Sequence, residues 1–193
     1  MFEVLFKEVT KRIQLTTEEE EICKTLFVPK KLRKKQYLLQ QDDICKNLTF
    51  IEKGVLRLYS LDEAGNEHIL QFGLEGYWIA DMYSFISQEP STYNIDAVED
   101  AELLLISHKD IELLYERVPK FERYFRILGQ NNILTLHRRL TGSLSYTAEE
   151  KYLQLLANFP TIVNRVPQHM IASYLGITRE TLSRIRKQLV TKK

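Results

Sequence analysis

The chain has 193 residues, 44% of them hydrophobic and 27% charged, with a formal net charge of +1. That length gives room for one or two domains with a proper core, and the composition is ordinary for a soluble globular protein. No apolar run reaches the roughly 18 residues of a membrane span, the charges scattered through MFEVLFKEVTKRIQ do not suit a signal peptide, and Cys23 and Cys45 are too few for a disulfide framework, so a cytoplasmic protein is expected.

The first thirty residues read as helical. LTTEEEEICKTLF offers Thr16 or Thr17 as a start signal three residues before a glutamate, and Leu15, Ile22 and Leu26 can share a face. From about residue 36 to 106 the pattern changes to short alternating runs rich in Val, Ile, Leu, Tyr and Phe. Turn residues separate them at Lys53-Gly54, Gly65-Asn66, Glu75-Gly76 and Glu89-Pro90-Ser91, which predicts a small β sandwich or barrel with a hairpin turning near Gly65-Asn66. From Ser107, a plausible cap, the chain is helical almost throughout. The long helix after Pro119 carries an apolar stripe at Phe121, Phe125, Leu128, Leu136 and Leu140, with Asn131-Asn132 in its gap. Such a stripe between two domains suits a homodimer seam, whose register Asn132 can help to fix. A further helix is capped at Thr147, with Glu150 three residues on.

The last segment carries the functional signal. From Asn164 onward there are seven basic residues against Glu180 alone, so the end of the chain is basic while the body is mildly acidic. That asymmetry fits contact with a polyanion, and equally a solvated tail. The pattern within PQHMIASYLGITRETLSRIRKQL decides for the former. Pro167 suits the first position of a helix. Ile171 and Leu175 share a face, and Ala172 is small where a second helix can cross. Gly176 can end the first helix in the left-handed conformation. Thr178 caps a second helix, in which Leu182, Ile185 and Leu189 form the buried stripe. Two helices joined by such a turn resemble the helix-turn-helix of DNA-binding proteins, whose second helix enters the major groove. Arg179 and Arg184 can then donate to guanine, Glu180 can accept from the cytosine amino group, and Ser183 can reach a base or a phosphate. Thr178, Arg186, Lys187, Lys192 and Lys193 suit the phosphate backbone.

ITRETLSRI, together with the order of elements, resembles the Crp/Fnr family of bacterial transcription regulators. The resemblance implies an α+β fold. An N-terminal β-roll sensor domain of jelly-roll-like, double-stranded β-helix build would occupy residues 1–115, a dimerisation helix 116–142, and a helix-turn-helix domain 143–193. It places base contacts on Arg179, Glu180 and Arg184, with Ser183 added in the Fnr-type pattern. Family members usually carry a small hairpin wing after the recognition helix, here 178–190. Only VTKK follows Leu189, so a truncated or absent wing is expected.

The same resemblance locates an effector pocket at Asp81, Met82, Ser91 and Thr92. In cyclic-nucleotide binders a glutamate holds the ribose and an arginine pairs with the cyclic phosphate. Asp81 and Ser91 fall at those two positions. Between Lys53 and Lys109 the only cation is Arg57, in an earlier strand, so cyclic-nucleotide binding is disfavoured and no cofactor is expected. Two cysteines cannot ligate an iron–sulfur cluster alone, and His68, His108, His137 and His169 show no metal-ligand spacing. An enzyme is not expected, since a barrel enzyme would want clustered ligands on its strands. The reading is a homodimeric regulator whose implied partners are a palindromic double-stranded DNA site, a second copy of itself, an unknown small-molecule effector and RNA polymerase, with no membrane. The alternative is a ligand-binding β-barrel interaction module whose basic tail binds protein.

Overall fold

The computed structural model describes residues 1–191. Two helices open it, α1 (Glu3–Thr10) and α2 (Thr17–Leu26). The Thr16 side chain accepts from the Glu19 amide while the Glu19 carboxylate accepts from Thr16 N–H, so the start signal of α2 closes as a reciprocal cap. The cap of α1 comes from far away. Buried Glu52 accepts from the Leu5 amide at 2.7 Å and the Val4 amide at 3.3 Å, satisfying the open end of the helix.

Among the described residues, eight strands then form two antiparallel sheets. The first orders β1 (Val28–Leu32), β8 (Ala101–Ser107), β3 (Asn47–Lys53) and β6 (Trp78–Ile79). The second orders β2 (Tyr37–Leu39), β7 (Asn94–Ala97), β4 (Leu56–Leu61) and β5 (Glu67–Gly73). A short helix, α3 (Met82–Ser87), bridges β6 to β7. The expected hairpin is the β4–β5 pair, and Asp62 organises its turn by accepting from the amides of Ala64 and Asn66 at 3.0 and 2.8 Å. Gly54, between β3 and β4, adopts φ +102°, and a Cβ there would lie 2.7 Å from the Ala101 Cβ, so the turn requires glycine.

Strand alternation sends side chains to two separate cores. Leu56 and Leu58 on β4, Ile95 and Ala97 on β7, and Ile51, Ile79 and Leu103 from the facing sheet fill the interior of the roll. The opposite face of β4 and β5 is not left to solvent. Tyr59, Ile69 and Phe72 join Tyr152, Leu155, Ile171, Leu175, Leu182 and Ile185 in a second core. That core belongs jointly to the roll and to the C-terminal helices.

Those helices follow α4 (His108–Arg117). They are α5 (Lys120–Ser145), α6 (Ala148–Asn158), a one-turn α7 (Ile162–Arg165), α8 (Gln168–Leu175) and α9 (Arg179–Thr191). The first turns of α5 pack on the roll. Phe121 and Tyr124 are fully buried, and the Trp78 indole N–H donates to the Tyr124 hydroxyl at 3.1 Å. Beyond Gly129 the helix leaves the core, and residues 129–138 are exposed. The sequence did not announce α7. Pro167, expected as a first helical residue, instead precedes α8 with ψ 142°, outside the helix. No strand follows α9 among the described residues.

Replacing Phe72, 1% exposed in the shared core, by alanine should cost about 3–5 kcal/mol in urea unfolding, and a loss under about 1 kcal/mol would show that the C-terminal helices do not depend on that face.

Candidate nucleic-acid interface

The helix-turn-helix forms as its sequence demands. Gly176 takes φ +64°, its N–H donating to the carbonyls of Ala172 and Ser173. The Thr178 hydroxyl accepts from the Thr181 amide at 3.2 Å and starts α9. Leu182 and Ile185 point into the shared core, at 0% and 4% exposure. That fixes which face of α9 looks outward. Arg179, Glu180, Ser183, Arg184 and Lys187 line one open groove, together with Gln168 and Gln188. All four residues expected to read bases are therefore brought onto one surface.

Of the five expected phosphate contacts, Lys187 shares the groove, Arg186 lies half-buried on the flank of α9, and Thr178 is exposed with its hydroxyl engaged as a cap. Lys192 and Lys193 lie outside the described residues. Gln168 and Gln188 were missed. Gln168 sits in the first turn of α8, and Gln188 follows Lys187 on the same outward arc. Their signal was a polar residue at each edge of the motif. The Glu180 carboxyl is held below its ordinary value, first by its own backbone amide at the start of α9 and then by the Thr178 hydroxyl. It stands as a charged acceptor in a basic groove. The arrangement offers forked and single donors beside one acceptor, the chemistry that discriminates base edges.

The expected effector pocket has a different character. Asp81 caps α3, accepting from the amides of Tyr83 and Ser84 at 3.0 and 3.3 Å. Its other oxygen accepts from the Ser91 hydroxyl at 2.7 Å. Both side chains are buried, at 4% and 1% exposure. Ser84 extends the network, accepting from the Cys45 amide at 2.9 Å. Asp81 and Ser91 thus meet, but they satisfy each other, while Met82 and Thr92 are exposed. Arg57 does not reach them. It lies on the outer face of β4, donating to Asp96 at 2.8 and 2.9 Å and to Glu67, with its guanidinium 4.2 Å from the centre of the Tyr59 ring. Both cysteines are free and buried, and burial pushes the Cys23 thiol up to about 12.

The helix-turn-helix is tied to the roll by polar contacts around the shared core. The Ser173 hydroxyl, on α8, accepts from the Ile69 amide at 3.1 Å and donates to the Glu67 carbonyl at 2.7 Å, covering the edge of β5. Arg165 at the end of α7 pairs with Glu75, at 2.7 and 2.8 Å, and with Glu99, joining two turns at one end of the roll. Arg139 of α5 donates to the Leu70 carbonyl and lies 4.4 Å from the centre of the Tyr174 ring.

The expected dimer stripe divides in two. Phe121 is wholly covered by its own chain and has nothing to offer a seam, which corrects that expectation. Phe125 and Leu128 also pack against the first core. Asn132, Leu136 and Leu140 are exposed, and beside them stand Ile133, Leu134 and Leu144, which the sequence reading omitted. Ile133, Leu136, Leu140 and Leu144 recur at helical spacing.

The chain joins a β-roll through a long helix to a helix-turn-helix. Residues 29–118 match the cyclic nucleotide-binding domain family. The chain is 24% identical over 180 residues to the fumarate and nitrate reduction regulatory protein of Vibrio cholerae, covering 88% of this chain and 71% of that protein. It is 23% identical to the transcriptional activator protein anr of Pseudomonas aeruginosa, covering 80% of this chain and 67% of that protein. Among solved structures it resembles FixK2 from Bradyrhizobium japonicum, with TM-score 0.72, 20% identity, and 86% and 85% of the two chains covered. It also resembles CLP of Xanthomonas campestris, described as a c-di-GMP-responsive global regulator, with TM-score 0.72, 14% identity, and 92% and 93% covered. In sequence and in fold the chain resembles regulators of the Crp/Fnr type.

The Arg165 clamp has a pH signature. Burial pushes the Glu75 carboxyl up, but hydrogen bonds from Arg165 and the Gly54 amide outweigh it and hold it at about 2, against an ordinary 4.5. A lowered native value means that the unfolded chain takes up the proton first. The stabilisation is therefore complete above pH 4.5 and is lost as pH falls from there towards about 2. Wild type should lose stability across that window faster than Arg165→Met, in urea titrations at several acid pH values. Parallel losses would mean that the clamp does not stabilise the fold.

Proposed function

We propose that the chain is a homodimeric transcription regulator that binds a two-fold DNA site through α9, with Arg179, Glu180, Ser183 and Arg184 on base edges and Arg186 and Lys187 on phosphates. The observation that carries this is the outward face of α9, where the four base-reading side chains and Lys187 share one open groove while Leu182 and Ile185 anchor the helix from behind. Thr178 is assigned to helix capping first, with its exposed position beside the backbone second. The division into a sensor at 1–115, a seam at 116–142 and a DNA-binding part at 143–193 goes with this reading.

Binding to a duplex enriched from a random pool should weaken steeply with salt, as counterion release requires. Arg184→Ala should remove about 1–3 kcal/mol of discrimination, roughly 5- to 150-fold in the ratio of specific to non-specific affinity, measured by fluorescence anisotropy. If both affinities fall by the same factor, Arg184 reads no base.

The seam is assigned to Ile133, Leu136, Leu140 and Leu144, with Asn132 beside them. Four exposed aliphatic side chains on one helical stripe favour a second copy of α5 as their cover. Leu136→Glu with Leu140→Glu should shift sedimentation from dimer to monomer and weaken specific DNA binding with it. A variant that remains dimeric would place the seam elsewhere.

A cyclic nucleotide is disfavoured as effector. The Asp81 carboxylate and Ser91 hydroxyl are bonded to each other, and Arg57 is engaged on the outside of the roll, so the cyclic phosphate would find no cation.

A further inference from the structure

Beyond Leu128, α5 runs clear of the roll and comes back to it at one side chain. Residues 129–138, 140 and 141 are exposed, and Arg139 among them is half-buried. Arg139 lies roughly 16 Å along the helix axis from Leu128, at about 1.5 Å per residue. The near end of α5 is therefore held by Phe121, Tyr124 and Leu128 in the first core, and its far half by Arg139.

What Arg139 meets comes from two other elements. Its guanidinium donates to the Leu70 carbonyl of β5 and lies 4.4 Å from the centre of the Tyr174 ring of α8. A bulge makes that carbonyl available. Leu58 pairs with Gln71 and Tyr59 with Ile69, so Leu70 stands opposite no residue of β4. The Tyr174 ring also meets Phe72, with centres 5.1 Å apart, and Ser173 beside it is bonded to the edge of β5. An arginine on a long helix is commonly an exposed helix former, and the neighbouring Arg138 is one. Arg139 differs, because its charge rests on a ring and its donor is spent on a carbonyl that the bulge leaves over.

The position of this contact matters because α8 carries α9 with it. The Gly176 and Ile177 amides donate to carbonyls of α8, and Leu182 and Ile185 fix α9 in the shared core. Arg139 thus joins the helix assigned to the seam, between Leu136 and Leu140, to the helix that leads into the reader. We infer that Arg139 is a positioning residue for DNA recognition, setting the spacing between half-sites that the dimer accepts. The inference rests on the dimeric, DNA-binding reading above and adds to it what fixes the two α9 helices relative to each other. One base pair more or less moves the half-sites by about 3.4 Å and turns one against the other by roughly 35°. A dimer can follow that change if the far half of α5 turns against α8. The grip of Arg139 on both Leu70 and Tyr174 opposes the turn.

The test uses the full chain and a two-fold site enriched from a random pool, together with duplexes in which one central base pair is removed or added. Affinities are read by fluorescence anisotropy. Wild type should lose about tenfold for either change of spacing, since the duplex must deform to fit. Arg139→Met keeps the length of the side chain without its guanidinium, and should lose no more than about twofold. Tyr174→Leu should match Arg139→Met, whereas Tyr174→Phe keeps the ring face and should retain the wild-type penalty. All three variants should keep the wild-type penalty for a base change inside a half-site, because α9 still reads its bases. Should Arg139→Met fail to fold, Arg139→Gln and Tyr174→Leu carry the same comparison. A variant that loses affinity by one factor on every spacing overturns the inference, since Arg139 then serves stability alone. Wild type that selects a two-fold site yet binds all three spacings alike also overturns it, and leaves the DNA-binding reading standing. Failure of wild type to select any site overturns that reading, and the inference with it.

Discussion

The outer face of β4 and β5 is the constraint on which the C-terminal half depends. Strand alternation places Tyr59, Ile69 and Phe72 on that face, and a sheet face of this kind cannot stand in water without cost. The helices that cover it are themselves amphipathic. Leu155, Ile171, Leu175, Leu182 and Ile185 would have little to bury in a three-helix unit of this size without the sheet behind them. One apolar surface thus completes two substructures. The orientation of α9, and with it the direction in which Arg179 and Arg184 point, follows from how α8 sits on β5.

Polar contacts convert that burial into a defined position. Apolar burial is non-directional, so the second core alone would tolerate sliding. Ser173 removes that freedom, because its hydroxyl both donates to and accepts from the β5 edge, and a shift of one residue would break both bonds. Arg165 does the same at the end of the roll with a forked donor set shared between Glu75 and Glu99. The aromatic contacts, Phe72 with Tyr174 at 5.1 Å and Tyr77 with Phe159 at 5.5 Å, fill the space between these two fixed points.

The parts that were legible in the sequence are those whose signals are local. Gly176, Thr178 and the Leu182–Ile185 stripe define the helix-turn-helix within a dozen residues, and Gly65-Asn66 marks its hairpin without reference to the rest of the chain. What was not legible depends on partners distant in sequence. Phe121, Phe125, Leu128, Leu136 and Leu140 share one helical period, and nothing in the period says where α5 leaves its own core. Only the Trp78–Tyr124 bond and the surrounding rings show that the departure comes near Gly129. Tyr59 and Phe72 read as ordinary strand residues, with no local sign of the helices that cover them.

The interior of the roll follows from the same physics. A buried carboxylate needs partners, and Asp81 finds three within its own chain: two amides of α3 and the Ser91 hydroxyl. The two positions that the resemblance assigns to an effector, Asp81 and Ser91, are bonded to each other. Arg57, the one cation between Lys53 and Lys109, balances Asp96 and Glu67 on the outer face instead. That outer face is where β4 and β5 meet the helix-turn-helix, and Glu67 links the two, its carboxylate on Arg57 and its carbonyl on Ser173. The polar network of the roll therefore ends at α8, on the surface that sets the direction of α9, rather than in its interior.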